Sequence, residues 1–152
     1  MIGAELSTFL QEGLGIYVGT RNAALEPSGA RATAAIVEAD GAHVTVFVPA
    51  IAADCLLTDL RANQQIAVSF GRPVDDRACQ VKGVFVEARQ ARDDERDVVA
   101  RQWNAFLGKL ETIGIPRTAT RGWATWPAVA VRFKSTAVFD QTPGPGAGNR
   151  AP

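Results

Sequence analysis

A mainly β chain with helices, closed as a small antiparallel barrel of six strands, is the fold that the sequence predicts. Three observations carry this. Period-two alternation recurs in short runs, as in 43–48, where Val44, Val46 and Val48 alternate with Thr45 and Phe47. Only two helical stretches separate strands, and the remaining gaps are turn-sized, which favours a barrel over a doubly wound parallel sheet. The length of 152 residues, with 47% of them apolar, suits one domain with one core.

The elements follow in order. Residues 4–12 place Leu6, Phe9 and Leu10 on one side of a short helix, broken by Gly13 and Gly15. A first strand runs over 15–21, and a turn rich in Asn, Pro, Ser and Gly over 22–29. The second strand, 30–38, sets Arg31, Thr33, Ala35 and Val37 on one face and Ala32, Ala34 and Ile36 on the other. Asp40-Gly41 signals a hairpin, and the third strand starts at His43 and stops at Pro49, which cannot donate to a ladder. Ala53, Leu56, Leu57 and Leu60 then fall on one helical face, with Asn63 as the expected left-handed terminus. Alternation returns at Ile66, Val68 and Phe70. A polar loop, 72–77, leads into a long strand, 78–90, with a bulge or close backbone approach at Gly83. Asp93 or Asp94 is the expected cap of the next helix, whose stripe is Val99, Trp103, Phe106, Leu107 and Leu110 and which Gly114 and Pro116 end. Residues 117–126 read as loop, and Val129, Val131 and Phe133 mark a last strand that continues to Val138. Residues 1–141 form the domain, and 142–152 a Gly/Pro-rich tail without regular structure.

Composition narrows the function classes. Zero net charge speaks against a strongly basic nucleic-acid binder and removes long-range steering of charged partners. Cys55 and Cys79 lack metal-ligand spacing and only one histidine is present, so no metal site is expected, and both thiols read as reduced core residues. No stretch reaches membrane-spanning length, so no membrane partner is expected and a soluble cytoplasmic protein is the default. Walker, nucleophile-elbow, HExxH and Rossmann patterns are absent.

Several residues are candidates for binding. Arg31 and Thr33 on one strand face can hold a phosphate or carboxylate, against the plainer reading of a solvated face. Gln80 and Lys82 share a face beside Gly83, where an amide offers donors and an acceptor to a heterocycle edge; ordinary polar alternation is the competing reading. Trp103 sits in a helical stripe and reads as packing, whereas Trp123 and Trp126, in the irregular stretch, are open to ligand or subunit contact. His43, alone at a strand start, reads as structural, and the carboxylates around Asp93 as favourable charge in a helix's first turn.

Taken in order, the early helix, GIYVGTR, Arg31, VTVFVP, LLTDLRANQQIAVSF and RACQVKGVFVEA resemble the pyridoxamine 5'-phosphate oxidase-like, FMN-binding split-barrel family, over about residues 4–142. The closing FDQTPGPGAG is similar to the tail of one branch. The resemblance implies a six-stranded split barrel, a homodimer with two FMN sites at the subunit interface, Arg31 on the phosphate, the backbone of Val48 and Pro49 over the flavin, and Gln80 and Lys82 near it. The family pattern has Arg or Lys at the start of the helix after Pro49; here Ala52, Ala53, Asp54 and Cys55 stand. Two readings follow. One is an FMN-dependent oxidoreductase of unknown substrate, with FAD or a deazaflavin as alternative cofactors. The other, which Asp54 favours, is a non-enzymatic module that binds a flavin, haem or other planar ligand, or has lost its cofactor. No catalytic side chain is readable.

Overall fold

The structure, a computed structural model, describes residues 1–151. Its elements are α1 (Ala4–Leu10), β1 (Gly15–Arg21), β2 (Pro27–Ala32), β3 (Ala34–Val37), β4 (His43–Pro49), α2 (Asp54–Asn63), β5 (Gln65–Gly71), β6 (Ala78–Gln90), α3 (Arg96–Thr112) and β7 (Ala128–Asp140). All strands belong to one antiparallel sheet of order β2-β1-β5-β6-β7-β4-β3.

The strand count is seven, not six. The second strand breaks at Thr33, where the chain bends: β2 pairs with β1 and β3 pairs with β4. Because β2 and β3 are successive segments of one strand, the two edges of the sheet are joined through Thr33, whose N–H donates to Phe47 O at 2.9 Å. The sheet therefore curls into a half-barrel whose two edge strands meet at this bend. β2 also begins at Pro27, earlier than the turn composition implied, since the tight turn is held within Asn22–Glu26 by Asn22 N–H to Glu26 O and Leu25 N–H to Asn22 O.

Ile16, Val18, Val44, Val46, Val48, Val68, Phe70, Val81, Val131 and Phe133 fill the interior, and α1 and α2 add Phe9, Leu10, Leu56 and Leu60. Gln64, not Asn63, takes the left-handed conformation that ends α2 (φ 61°). Asn63 instead donates to Arg21 O at 2.6 Å and accepts from Gln65 N–H, tying the helix end to β1. Gly83 sits where β6 shifts register against β7, and a Cβ there would lie 2.5 Å from Lys134 O and from the Phe133 ring. The close approach expected at that glycine is present.

Helix α3 covers the other face of β3 and β4. Val99 packs in a cluster with Ala34, Phe47, Ala128 and Ala130. The buried Gln102 amide pairs with the free edge of β3, accepting from Ala35 N–H at 2.9 Å and donating to Ala35 O at 2.7 Å. Such pairing closes a strand edge that would otherwise offer unpaired groups. Neither Asp93 nor Asp94 caps the helix entry. Glu95 reaches back to Arg92 N–H at 2.8 Å while gripping Arg89 through both carboxylate oxygens. Residues Arg117–Thr120 form a short 3-10 turn within the stretch expected as loop. The tail folds back: Asp140 N–H donates to Asn149 O and Ala151 N–H to Val138 O, so residues 149–151 flank the end of β7. Pro152, the last residue of the expected tail, lies outside the described residues. Among the described residues, no helix is long and apolar enough to cross a membrane.

Candidate functional site

Alternation along β1, β5 and β6 sends Ile16, Val18, Val68, Phe70 and Val81 inward, so their neighbours face outward. Strand register aligns these neighbours into two rows. In the first, Arg31 stands opposite Tyr17, Tyr17 opposite Ser69, Ser69 opposite Gln80 and Gln80 opposite Phe139. In the second, Gly29, Gly19, Ala67, Lys82 and Ala137 follow in the same order. A Cβ at Gly19 or Gly29 would meet only a carbonyl oxygen, at 3.7 and 3.6 Å. Packing within the chain does not require glycine at either position, and their effect is to leave an open floor. The result is a shallow trough with a polar and aromatic wall, on a face that leaves Tyr17 54% exposed and Val84 43% exposed.

Arg31 is the cation of this wall. Its Nη2 donates to Tyr17 Oη at 2.8 Å, and its Cζ lies 4.1 Å from the centroid of the Trp123 ring and 4.8 Å from that of Tyr17. Trp123 in turn touches Trp103 (5.9 Å between centroids), which touches Phe106 (5.5 Å). The guanidinium is stacked between aromatic faces and makes no ion pair among the described residues. Its in-plane N–H groups other than the one on Tyr17 are available to an anion. Trp103 is half-buried in the small cluster of Phe106, Leu107 and Leu110, apart from the main core.

The other expected site residues divide. Thr33 does not join Arg31: it is 2% exposed and its hydroxyl donates to Phe47 O at 3.2 Å, because the bend turns it into the seam. Val48 points into the core and Pro49 is also buried, where β4 pairs with Val129 and Ala128. Gln80 lies in the Arg31 row and donates to Ser69 Oγ at 3.2 Å. Lys82 is exposed, with Nζ 4.9 Å from the Phe139 ring centroid. Arg31 and Gln80 are three strand spacings apart, about 14 Å, so together they suit an elongated ligand rather than a single small anion. Tyr17, Ser69 and the two glycines were missed from sequence, although the outward positions of GIYVGTR already alternate tyrosine with glycine.

At the start of α2, Asp54 is exposed and its side chain makes no hydrogen bond or ion pair among the described residues, while Ile51 beside it is 88% exposed. Cys55 is exposed on α2 rather than in the core; only Cys79 is buried, and burial pushes its thiol up to about 12. Both are free thiols. His43 Nδ1 lies 2.6 Å from Asp40 Oδ2, and that contact with two backbone N–H groups holds the Asp40 carboxyl well below the usual range. Glu38 is close by but is engaged by Arg132, whose Nη2 donates to it at 2.9 Å and holds its carboxyl low. These groups form a hydrogen-bonded cluster joining the β3–β4 turn to β7. Asp59, on the buried face of α2, accepts from Thr20 Oγ1 at 2.8 Å.

No protein-family model matches the chain, and no curated protein is similar to it. Solved structures are similar in fold. HupZ of Group A Streptococcus has a TM-score of 0.58 at 15% identity, over 97% of this chain and 100% of that one. A putative pyridoxamine 5'-phosphate oxidase from Lactobacillus delbrueckii has 0.56 at 14%, over 91% and 93%. An FMN-binding protein from Syntrophomonas wolfei has 0.53 at 9%, over 88% and 81%. The chain shares the fold of these proteins, a curled antiparallel sheet consistent with a split barrel.

Proposed function

We propose, with that split-barrel fold as the premise, that the chain is a homodimeric flavin-binding protein, binding FMN along the outer trough and acting as an oxidoreductase of a substrate that its sequence does not name. The observation that carries this is the row Arg31–Tyr17–Ser69–Gln80 above the glycine floor. Its chemistry fits the group: an unpaired guanidinium for the phosphate, an amide with donor and acceptor for a heterocycle edge, and a floor without side chains for a flat ring. The Val84 and Tyr17 exposures on the same face suit a second copy laid across it, as obligate dimers commonly bury 2,000 Å² or more. The bound flavin would supply hydride or electron transfer, and this chain's residues position it and exclude water. The fold similarity to an FMN-binding protein and to a putative pyridoxamine 5'-phosphate oxidase supports the reading.

A non-enzymatic carrier or sensor of a flavin, haem or other planar ligand is the second reading. Asp54 favours it, standing with an unpaired carboxylate at a helix start that would otherwise attract phosphate. An absorption spectrum of the freshly purified protein, followed by FMN and riboflavin titration and light scattering, tests both. A flavin spectrum, FMN binding weakened in Arg31→Ala, and a dimer support the first reading. A monomer whose FMN titration overlays that of Arg31→Ala refutes it.

A further inference from the structure

Where the 117–126 stretch folds back on α3 lies a hollow of about 260 Å³. That is just below the roughly 300–1,000 Å³ of drug-sized sites and suits a ligand of one ring. Arg31 lies against the Trp123 ring and does not line the hollow, so this ring partitions it from the trough. Trp103, Leu107 and Trp123 form its apolar wall, and the two indoles meet at a tilt of 53° with 5.9 Å between centroids. Trp103 is half-buried and Trp123 is 41% exposed, so both keep surface that an aromatic ring can cover.

The charge lining the hollow has one sign. Arg117 and Arg121 border it and no carboxylate does. Arg117 is engaged, its Nε donating to Glu111 at 3.0 Å and its Nη1 to Asn104 Oδ1 at 3.2 Å. Arg121 is exposed and makes no ion pair among the described residues. An unpaired guanidinium beside an indole wall offers a carboxylate two parallel N–H groups and offers the attached ring an apolar face. A cationic ligand would meet like charge there.

We propose that this hollow binds a one-ring aromatic anion of the aryl carboxylate class, with its carboxylate on Arg121 and its ring against Trp103 and Trp123. The site uses neither Arg31 nor a flavin, so it stands apart from the flavin reading.

Benzoate, benzamide, benzylamine and acetate separate the contribution of charge from that of the ring. Each is titrated into isotope-labelled protein and followed by the tryptophan indole N–H signals in NMR. Of the 3 tryptophans, Trp126 does not line the hollow and serves as the internal reference. Benzoate should shift Trp103 and Trp123, leave Trp126 in place, and bind about fivefold more tightly than benzamide, the upper range for an exposed ion pair. Acetate, which lacks the ring, and benzylamine, which carries the wrong charge, should both bind more weakly than benzoate. Arg121→Gln should remove the margin of benzoate over benzamide and leave benzamide itself unchanged. Excess FMN should leave the benzoate shifts as they are. Benzamide binding as tightly as benzoate, an indifferent Arg121→Gln variant, or no saturable shift at millimolar benzoate overturns the proposal. Displacement of benzoate by FMN also overturns it, since that places the anion on Arg31. Benzoate binding to a protein that takes no flavin would sink only the flavin reading, and FMN binding without benzoate only this one.

Discussion

Replacing Gln102 by leucine tests the closure of the β3 edge. The change removes one amide that accepts from Ala35 N–H at 2.9 Å and donates to Ala35 O at 2.7 Å, beneath a helix where Gln102 itself is 2% exposed. Water does not reach the vacated groups, so each is left buried without a partner at about 1–3 kcal/mol. Leucine recovers part of this by burying no polar group, and a net loss of about 2–4 kcal/mol is expected. That is a large share of the roughly 5–15 kcal/mol that holds a domain together. Urea unfolding followed by circular dichroism should show a lower midpoint at unchanged slope. Gln102→Glu adds a sign test. Its carboxylate can accept from Ala35 N–H but opposes Ala35 O, whereas the protonated acid satisfies both, so its folded pKa is raised above about 4.3. Relative to wild type at the same pH, this variant is least impaired below that value, and its deficit grows as pH rises toward the folded pKa. A Gln102→Leu protein within about 0.5 kcal/mol of wild type, the range of ordinary surface changes, would refute the reasoning.

Thiol labelling with a chromogenic disulfide at neutral pH should modify one cysteine in the native protein, Cys55, and both after denaturation, because Cys79 is buried and its thiol is pushed up to about 12. Since that folded value lies above the ordinary one, the Cys79 contribution to stability is full at neutral pH and is lost between about 8.5 and the folded value; Cys79→Ala should flatten this alkaline decline in a melting series. Glu95→Ala should cost about 1–2 kcal/mol, since it removes a buried carboxylate that caps the Arg92 N–H and grips Arg89, whose guanidinium is itself partly solvated, and Arg89 holds that carboxylate below its usual range. This Glu95 contribution is present above the ordinary glutamate range and fades as pH falls through the lowered folded pKa, so wild type and variant should converge in acid melting curves. Trp123→Ala should loosen Arg31 and lower the ratio of FMN to riboflavin affinity, with riboflavin itself little changed by calorimetry, since the ring stacks on the guanidinium. Asp54→Lys should raise that ratio by up to about tenfold, with a gain that shrinks in added salt; an unaffected ratio places the phosphate away from α2.

By itself, the sequence determined most of the local structure. The bounds of β1, β4 and β6 and the position of β5 follow from short runs of alternating or apolar residues, and Gly83 announced a bulge or close backbone approach because a Cβ there would lie 2.5 Å from a carbonyl oxygen. Only the tertiary structure decided what depends on partners distant in the chain. Thr33 continues the alternating pattern of its strand, yet the ladder changes partners there, from β1 to β4, so one strand became two and the hydroxyl turned inward. Asn63 and Gln64 are both compatible with a helix end; the Arg21 carbonyl, 42 residues away, recruited the Asn63 side chain and left Gln64 to take the left-handed turn. Nothing in its own helix marks Gln102; its role exists only because the β3 edge lies against it. The trough has the same origin. Arg31, Tyr17, Ser69 and Gln80 come from four strands and are aligned by register alone, a property of hydrogen bonding between strands that no single run of residues records.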